Sequence, residues 1–263
     1  MKNFLITGVL GGMGRATAKS LLDMGFNIYG IDVADTCDLP INYFKADLTS
    51  LDQINNVFKA VKQSVCSLDG IIHFAGIYQM DSLVEMNEED FIKIFNINVF
   101  SIYRVNKTFL PLLKKDSIII ITSSELAPLD PLPFNGIYAI TKSTVEKYAY
   151  SLKMELQLLG IKVSVIRPGA VKTGLLNDSL KSIKNLCDKT LLYKENTKKF
   201  NKIVNSVESK NVSPVKIANK IKKILKAKNP KFVYNINRNF LLRLLNFLPR
   251  KLQFYLIKRL LKK

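Results

Sequence analysis

Short apolar runs alternate along the chain with longer stretches whose apolar positions recur at helical spacing. The runs predict strands at Asn3–Thr7, Asn27–Ile31, Asn42–Ala46, Gly70–Ala75, Ser117–Thr122, Lys162–Ile166 and Lys231–Ile236. Helical patterns fall at Met13–Met24, Leu51–Cys66, Glu88–Leu113 (one or two helices) and Ile137–Leu159, the last stopped by Gly160. Gly70–Ala75 and Ser117–Thr122 lack polar alternation, as strands covered on both faces do. Strands alternating with helices predict an α/β fold: a doubly wound parallel sheet (Rossmann fold) of about seven strands with right-handed crossovers. We expect a single domain over residues 1–236, a substrate lid at about 175–211, and two short amphipathic helices over 237–263, broken at Pro249.

A chain of 263 residues, 48% hydrophobic, suits one α/β domain with a large core and excludes a disordered protein. Cys37, Cys66 and Cys187 are too few and too scattered for a disulfide framework or a metal cluster, so no metal and a reducing compartment are expected. No segment approaches the roughly 18 apolar residues of a spanning helix. The expected setting is cytoplasmic, with peripheral contact at the inner face of a membrane as an extension of it. The net charge of +19 changes that picture only regionally. Residues 181–263 hold 23 Lys and Arg against Asp188, Glu195 and Glu208, whereas residues 1–180 hold 17 basic and 18 acidic residues. With no nucleic-acid motif present, no nucleic-acid partner is expected.

The first strand runs into Thr7-Gly8-Val9-Leu10-Gly11-Gly12-Met13-Gly14-Arg15. Glycines 8, 12 and 14 fit a strand, tight turn and helix whose N-terminus faces a pyrophosphate. A plain turn would use such glycines too, but the strand before and amphipathic helix after favour the cradle. Asp32 closes the second strand, where a carboxylate accepts hydrogen bonds from ribose hydroxyls and repels a 2′-phosphate. Val33 follows it, and both points favour NAD over NADP; Arg15, beside the loop, is the counterweight.

Tyr138 and Lys142 stand four residues apart, on one face of the long helix. An ammonium there favours the phenolate. Ser123-Ser124 ends the fifth strand, where doubly wound sheets place their ligands, and one hydroxyl there can bond a substrate oxygen. Each feature alone has an ordinary structural reading, a surface pair or a strand cap.

Together they resemble the classical short-chain dehydrogenases/reductases over about residues 3–175. The family's TGxxxGxG pattern matches Thr7, Gly8, Gly12 and Gly14, with Met13 inside the loop, and its YxxxK pair matches Tyr138 and Lys142. Its catalytic serine matches Ser124, and its helix asparagine matches Asn98, with Asn96 as a register alternative. Its adenine-contacting Asp-Leu pair matches Asp47-Leu48, and its PGxVxT segment, which grips the nicotinamide amide, matches Pro168, Gly169, Val171 and Thr173. The Asn-Asn-Ala-Gly after strand four departs to His73-Phe74-Ala75-Gly76; Ala75 and Gly76 keep the approach to the cofactor, and His73 reads as a structural substitute.

The resemblance implies an oxidoreductase acting on CH–OH groups. Tyr138 exchanges the proton, Ser124 holds the oxygen, Lys142 lowers the tyrosine pKa and binds the ribose, and Asn98 positions a water. It also implies a homodimer or homotetramer. The apolar lid and tail suggest a hydrophobic substrate of steroid, retinoid, fatty or polyketide type. Alternatives are a reductase of a small polar metabolite and a non-catalytic NAD-binding or membrane-docking protein. Residues 237–263 pair an apolar with a basic face, which fits either a membrane surface or a neighbouring subunit.

Overall fold

The computed structural model describes residues 1–262. In chain order the elements are β1 (Asn3–Thr7), α1 (Gly12–Leu22), β2 (Asn27–Asp32), β3 (Asn42–Lys45), α2 (Leu51–Ser64), β4 (Leu68–His73), α3 (Glu88–Phe95) and α4 (Ser101–Phe109). Then follow β5 (Leu113–Thr122), α5 (Gly136–Leu156), β6 (Lys162–Pro168), α6 (Gly174–Lys189), α7 (Lys194–Glu208), α8 (Pro214–Lys226), β7 (Val233–Ile236), α9 (Phe240–Phe247) and α10 (Arg250–Leu261). The seven strands are all parallel, in the order β3-β2-β1-β4-β5-β6-β7. Chain order reverses between β1 and β4, and ligands of such sheets bind in the crevice at that switch point.

Alternate strand residues supply two cores. Phe4, Ile6, Ile72, Ile120 and Ile166 face Ala18 and Leu21 of α1 and Ile217, Ile221 and Ile224 of α8. Leu5, Ile31 and Ile71 face α2 and α4, and Ile119, Ile121, Val163 and Val165 face Val145 and Ala149 of α5. This double cover explains the unbroken isoleucine run of β5.

Element bounds shift by one to three residues along much of the chain, and three departures from the sequence expectation matter most. β5 begins at Leu113 rather than Ser117, because Lys114, Lys115 and Asp116 are exposed, polar strand residues whose register shifts against β4. β4 ends at His73, so Ala75 leaves the sheet. The amphipathic helix α8, which the sequence reading leaves unassigned, is capped by Ser213 and starts on Pro214. Gly160 stops the α5 segment in the left-handed conformation, at φ 71°.

His73 is buried, and its Nε2–H donates to Asn106 Oδ1 at 2.9 Å, while Asn106 Nδ2 donates to the Tyr148 hydroxyl at 3.1 Å. The imidazole thus ties β4 to α4 and α5. Burial pushes it down to about 4. The unfolded chain binds this proton at about 6.5, so the native state gains stability above that pH and loses it as the pH falls towards 4. We expect this component to reach about 3 kcal/mol. Urea unfolding of the parent and of His73→Asn at pH 7 and pH 4 checks it: the parent should lose that much more stability than the variant.

Candidate active site

The crevice starts where β1 ends. Gly8 has φ +66°, and a Cβ on it would lie 2.6 Å from the Ala75 backbone nitrogen. A Cβ on Gly14 would lie 2.1 Å from the Gly8 carbonyl oxygen. Only glycine fits either position, and the result is an α1 N-terminus aimed along the strand ends. Asp32 holds this loop: its carboxylate accepts from the Leu10 N–H at 2.9 Å and the Val33 N–H at 2.8 Å. Arg15 pairs with Asp38, one guanidinium nitrogen reaching both carboxylate oxygens at 2.6 and 2.7 Å.

A cavity of about 290 Å³ opens beside the loop, lined by Gly8, Asp32, Asp47, Leu48, Ala75 and Gly76. Asp47 accepts from the Thr49 N–H at 2.8 Å, and its own N–H donates to Gln53 Oε1, which fixes the β3–α2 turn. These residues suit an adenosine half. Thr7 Oγ1 at the foot of the cradle and Thr122 Oγ1 at the end of β5 are buried without a hydrogen-bond partner. Orphaned hydroxyls at both strand ends, with a cradle that a Cβ would fill, fit a dinucleotide laid across the switch point.

A second cavity of about 150 Å³ is lined by further candidates, among them Met13, Ser124, Tyr138, Lys142, Gly169 and Thr173. Tyr138 and Lys142 both lie on the buried side of α5. The Ser124 hydroxyl bonds the Tyr138 phenol. Its neighbour Ser123 instead donates to Glu146 Oε1 at 2.7 Å, within an ion pair of Glu146 and Arg167. The structure therefore separates two serines that the sequence leaves as a pair. Burial pushes the phenol above its ordinary value, and the Ser124 bond draws it part of the way back. Lys142 Nζ donates to the Thr122 carbonyl at 3.2 Å and stands 5.7 Å from the Tyr138 ring centroid. Burial pushes this ammonium down to about 8. Desolvation thus outweighs the expected lowering of the tyrosine pKa by its lysine.

Asn98 lies in a π-helical turn, Asn96–Phe100, between α3 and α4. Its Oδ1 accepts from the Ile77 N–H at 2.8 Å, and its Nδ2 donates to the Ile77 carbonyl and to Thr141 Oγ1. Gly76 sits between Asn98 and Lys142: an ideal Cβ there would lie 3.1 Å from Oδ1 and 3.7 Å from Nζ. Asn96 instead accepts from Arg104. Pro168 ends β6, Gly169 donates to the Ile236 carbonyl at 2.8 Å, Val171 bridges to Val212, and Thr173 precedes α6.

Sequence reasoning missed Glu125. It follows Ser124, lines the same cavity and is 7% exposed. Its Oε2 accepts from the Asn239 N–H at 2.5 Å, and burial pushes its carboxyl up. No spacing signal marks it; only the fold brings residue 239 to residue 125.

A family model described as short chain dehydrogenase matches residues 2–184. The chain is 27% identical over 230 residues to a 3-ketodihydrosphingosine reductase of Bacteroides thetaiotaomicron, covering 87% of this chain and 85% of that one. It is 27% identical over 189 residues to estradiol 17-beta-dehydrogenase 2 of Mus musculus, covering 66% of this chain and 49% of the relative. A solved short chain dehydrogenase family protein from Francisella tularensis superposes with a TM-score of 0.73 at 25% identity, covering 90% and 97% of the two chains.

The buried ammonium of Lys142 carries a stability cost. Its native pKa of about 8 lies below the unfolded value of about 10.4, so the unfolded chain holds the proton more tightly between those values. Native stability should accordingly rise with pH from 8 to 10.4, and Lys142→Met should stabilise the protein at pH 7 by up to about 3 kcal/mol. Urea unfolding at pH 7 and pH 10 measures both.

Proposed function

The chain belongs to the short-chain dehydrogenases, a family of oxidoreductases that bind nicotinamide cofactors, and on that premise we propose that it moves a hydride between NAD and the alcohol or carbonyl carbon of a hydrophobic substrate. The observation that carries this reading is a polar floor under an apolar roof. Ser124, Tyr138 and Lys142 lie at the base of a cavity closed by Leu176 of α6, Phe200, Ile203 and Val204 of α7, and Leu242 of α9. A bound nicotinamide supplies or takes the hydride. Tyr138 gives or takes the proton at its phenolic oxygen, with Ser124 holding the substrate oxygen against it. Burial holds that phenol in its protonated form, ready to donate to a carbonyl oxygen. Lys142 presents its ammonium to the crevice, and Asn98 fixes the loop at Ile77 that walls it. The helices α6 and α7 fall in the segment read as a lid, where they exclude water from the reaction.

The substrate class rests on the roof and on the relatives' names, a ketodihydrosphingosine reductase and an estradiol dehydrogenase, whose substrates are both lipophilic. The preference for NAD rests on Asp32 beside the cradle and on Arg15, whose guanidinium is already held by Asp38. A 2′-phosphate would meet a carboxylate where it needs a cation.

The deciding experiment follows absorbance of the reduced cofactor while purified protein is offered long-chain ketones, steroid ketones and sugars with NADH or NADPH. Turnover of a lipophilic ketone with NADH is expected. Turnover confined to sugars and polyols would remove the hydrophobic-substrate reading, and a preference for NADPH would remove the role given to Asp32. Tyr138→Phe should lower the rate by about 10²–10⁴-fold while leaving NADH binding, followed by cofactor fluorescence, intact.

A further inference from the structure

The tail helices are poorly matched to water. In α9 the exposed residues are Phe240, Leu241, Leu244 and Phe247, at 69, 65, 50 and 78% exposure, and none is polar. Their spacing puts all four on one side of the helix. The opposite side is held down: Leu242 enters the active-site cavity, and Asn246 Oδ1 accepts from the Asp130 N–H at 2.7 Å. In α10, Phe254, Tyr255 and Leu260 are more than half exposed, while Leu261 packs with Phe134 and Phe200. A groove of about 820 Å³ runs beside α10, walled by Leu83, Val84, Phe254 and Ile257. Soluble monomers rarely leave so continuous an apolar surface uncovered.

Charge decides what covers it. Residues 237–263 carry eight Lys and Arg and no Asp or Glu. Lys251, Lys258 and Arg259 are exposed on the helix that follows the apolar face, with Arg250, paired to Asp130 at 3.7 Å, at its start and Lys262 just past its end. We propose that α9 and α10 form a docking surface for an anionic lipid bilayer. The side chains of α9 enter the acyl boundary, and the cations of α10 meet the headgroups. An amphipathic helix lies in the plane of such an interface, and each cation near an anionic leaflet strengthens binding by about fivefold. A second copy fits less well: a two-fold contact sets this face against itself, cations against cations, with no carboxylate within the tail to answer them. A nucleic acid would answer the cations but leave the face of α9 in water. Among the described residues no helix is long and apolar enough to cross a membrane, so the surface lies on the bilayer rather than through it. Docking of this kind needs no turnover and is read without substrate.

The test sediments the full chain with vesicles of phosphatidylcholine, alone or mixed with phosphatidylglycerol. Binding to the mixed vesicles is expected, weaker to phosphatidylcholine alone and reduced by salt. Leu244→Ser with Phe247→Ser should weaken binding by about tenfold or more for each residue. Lys251→Glu with Arg259→Glu should abolish the preference for phosphatidylglycerol. All four positions are exposed, so thermal unfolding midpoints serve as the folding control. A parent protein that stays in the supernatant with mixed vesicles overturns the proposal. So does a parent dimer that ignores vesicles and becomes a monomer in the Leu244→Ser, Phe247→Ser variant, which would assign the face to a second copy.

Discussion

The crevice exists because two backbones meet at the switch point with no side chain between them. β1 and β4 pair as far as Thr7 opposite His73, and the Phe74 N–H then donates to the Thr7 carbonyl at 3.0 Å. This bond carries the chain after β4 across the end of β1 and brings Ala75 against Gly8. On the other side the Gly8 N–H donates to the Ile31 carbonyl of β2 at 2.8 Å. The loop is therefore pinned between three strands, and α1 starts from a fixed point. A methyl group on Gly8 would force β1 from β4 and displace both halves of the crevice together, the Asp32 wall and the Tyr138 floor.

What stands on that floor is electrostatically expensive. Tyr138 and Lys142 are buried where their charged forms are disfavoured, and the orphaned hydroxyl of Thr122 stays beside them. A site of this kind keeps its geometry only if its supports are rigid. The support comes from beneath: the bonds from His73 through Asn106 to Tyr148 tie the end of β4 to α5, the helix that also presents Tyr138 and Lys142. The histidine that departs from the family's pattern thus does its work on the helix of the candidate proton donor, some distance from the reacting atoms.

The framework was legible because it repeats one simple physical demand. Strands covered on both faces are continuously apolar, and their helices are not, so β1, β2, β6, α2 and α5 follow from periodicity to within a few residues, whereas β4 lies two residues earlier than its expected span. The cradle was legible because its close approaches require glycine at fixed spacing. The polar start of β5 was hidden, since Lys114, Lys115 and Asp116 point to solvent at a sheet end and look like a loop. α8 is marked only by Ser213-Pro214 and the apolar positions 217, 218, 221 and 224. Choices between equivalent neighbours were illegible in principle. That Ser123 turns to Glu146 while Ser124 meets Tyr138, or that Asp38 takes Arg15, depends on elements distant in sequence.

Glu125 belongs to that last kind, and it joins the tail to the site. Its backbone N–H donates to the Pro168 carbonyl at the end of β6, and its carboxylate receives the Asn239 N–H. Asn239 in turn caps α9, accepting from the Leu242 N–H at 3.1 Å. The helix start and the strand end that carries Ser124 are thus held by one buried carboxyl. Leu242, one turn further along, forms part of the cavity roof. The same short helix therefore closes the site with its inner side and shows four large apolar residues on its outer side. Displacing it to cover that outer side would pull on Glu125 and open the roof. A surface that came to meet α9 where it stands would leave both intact, and this geometric economy favours a broad, deformable partner such as a bilayer over a rigid one.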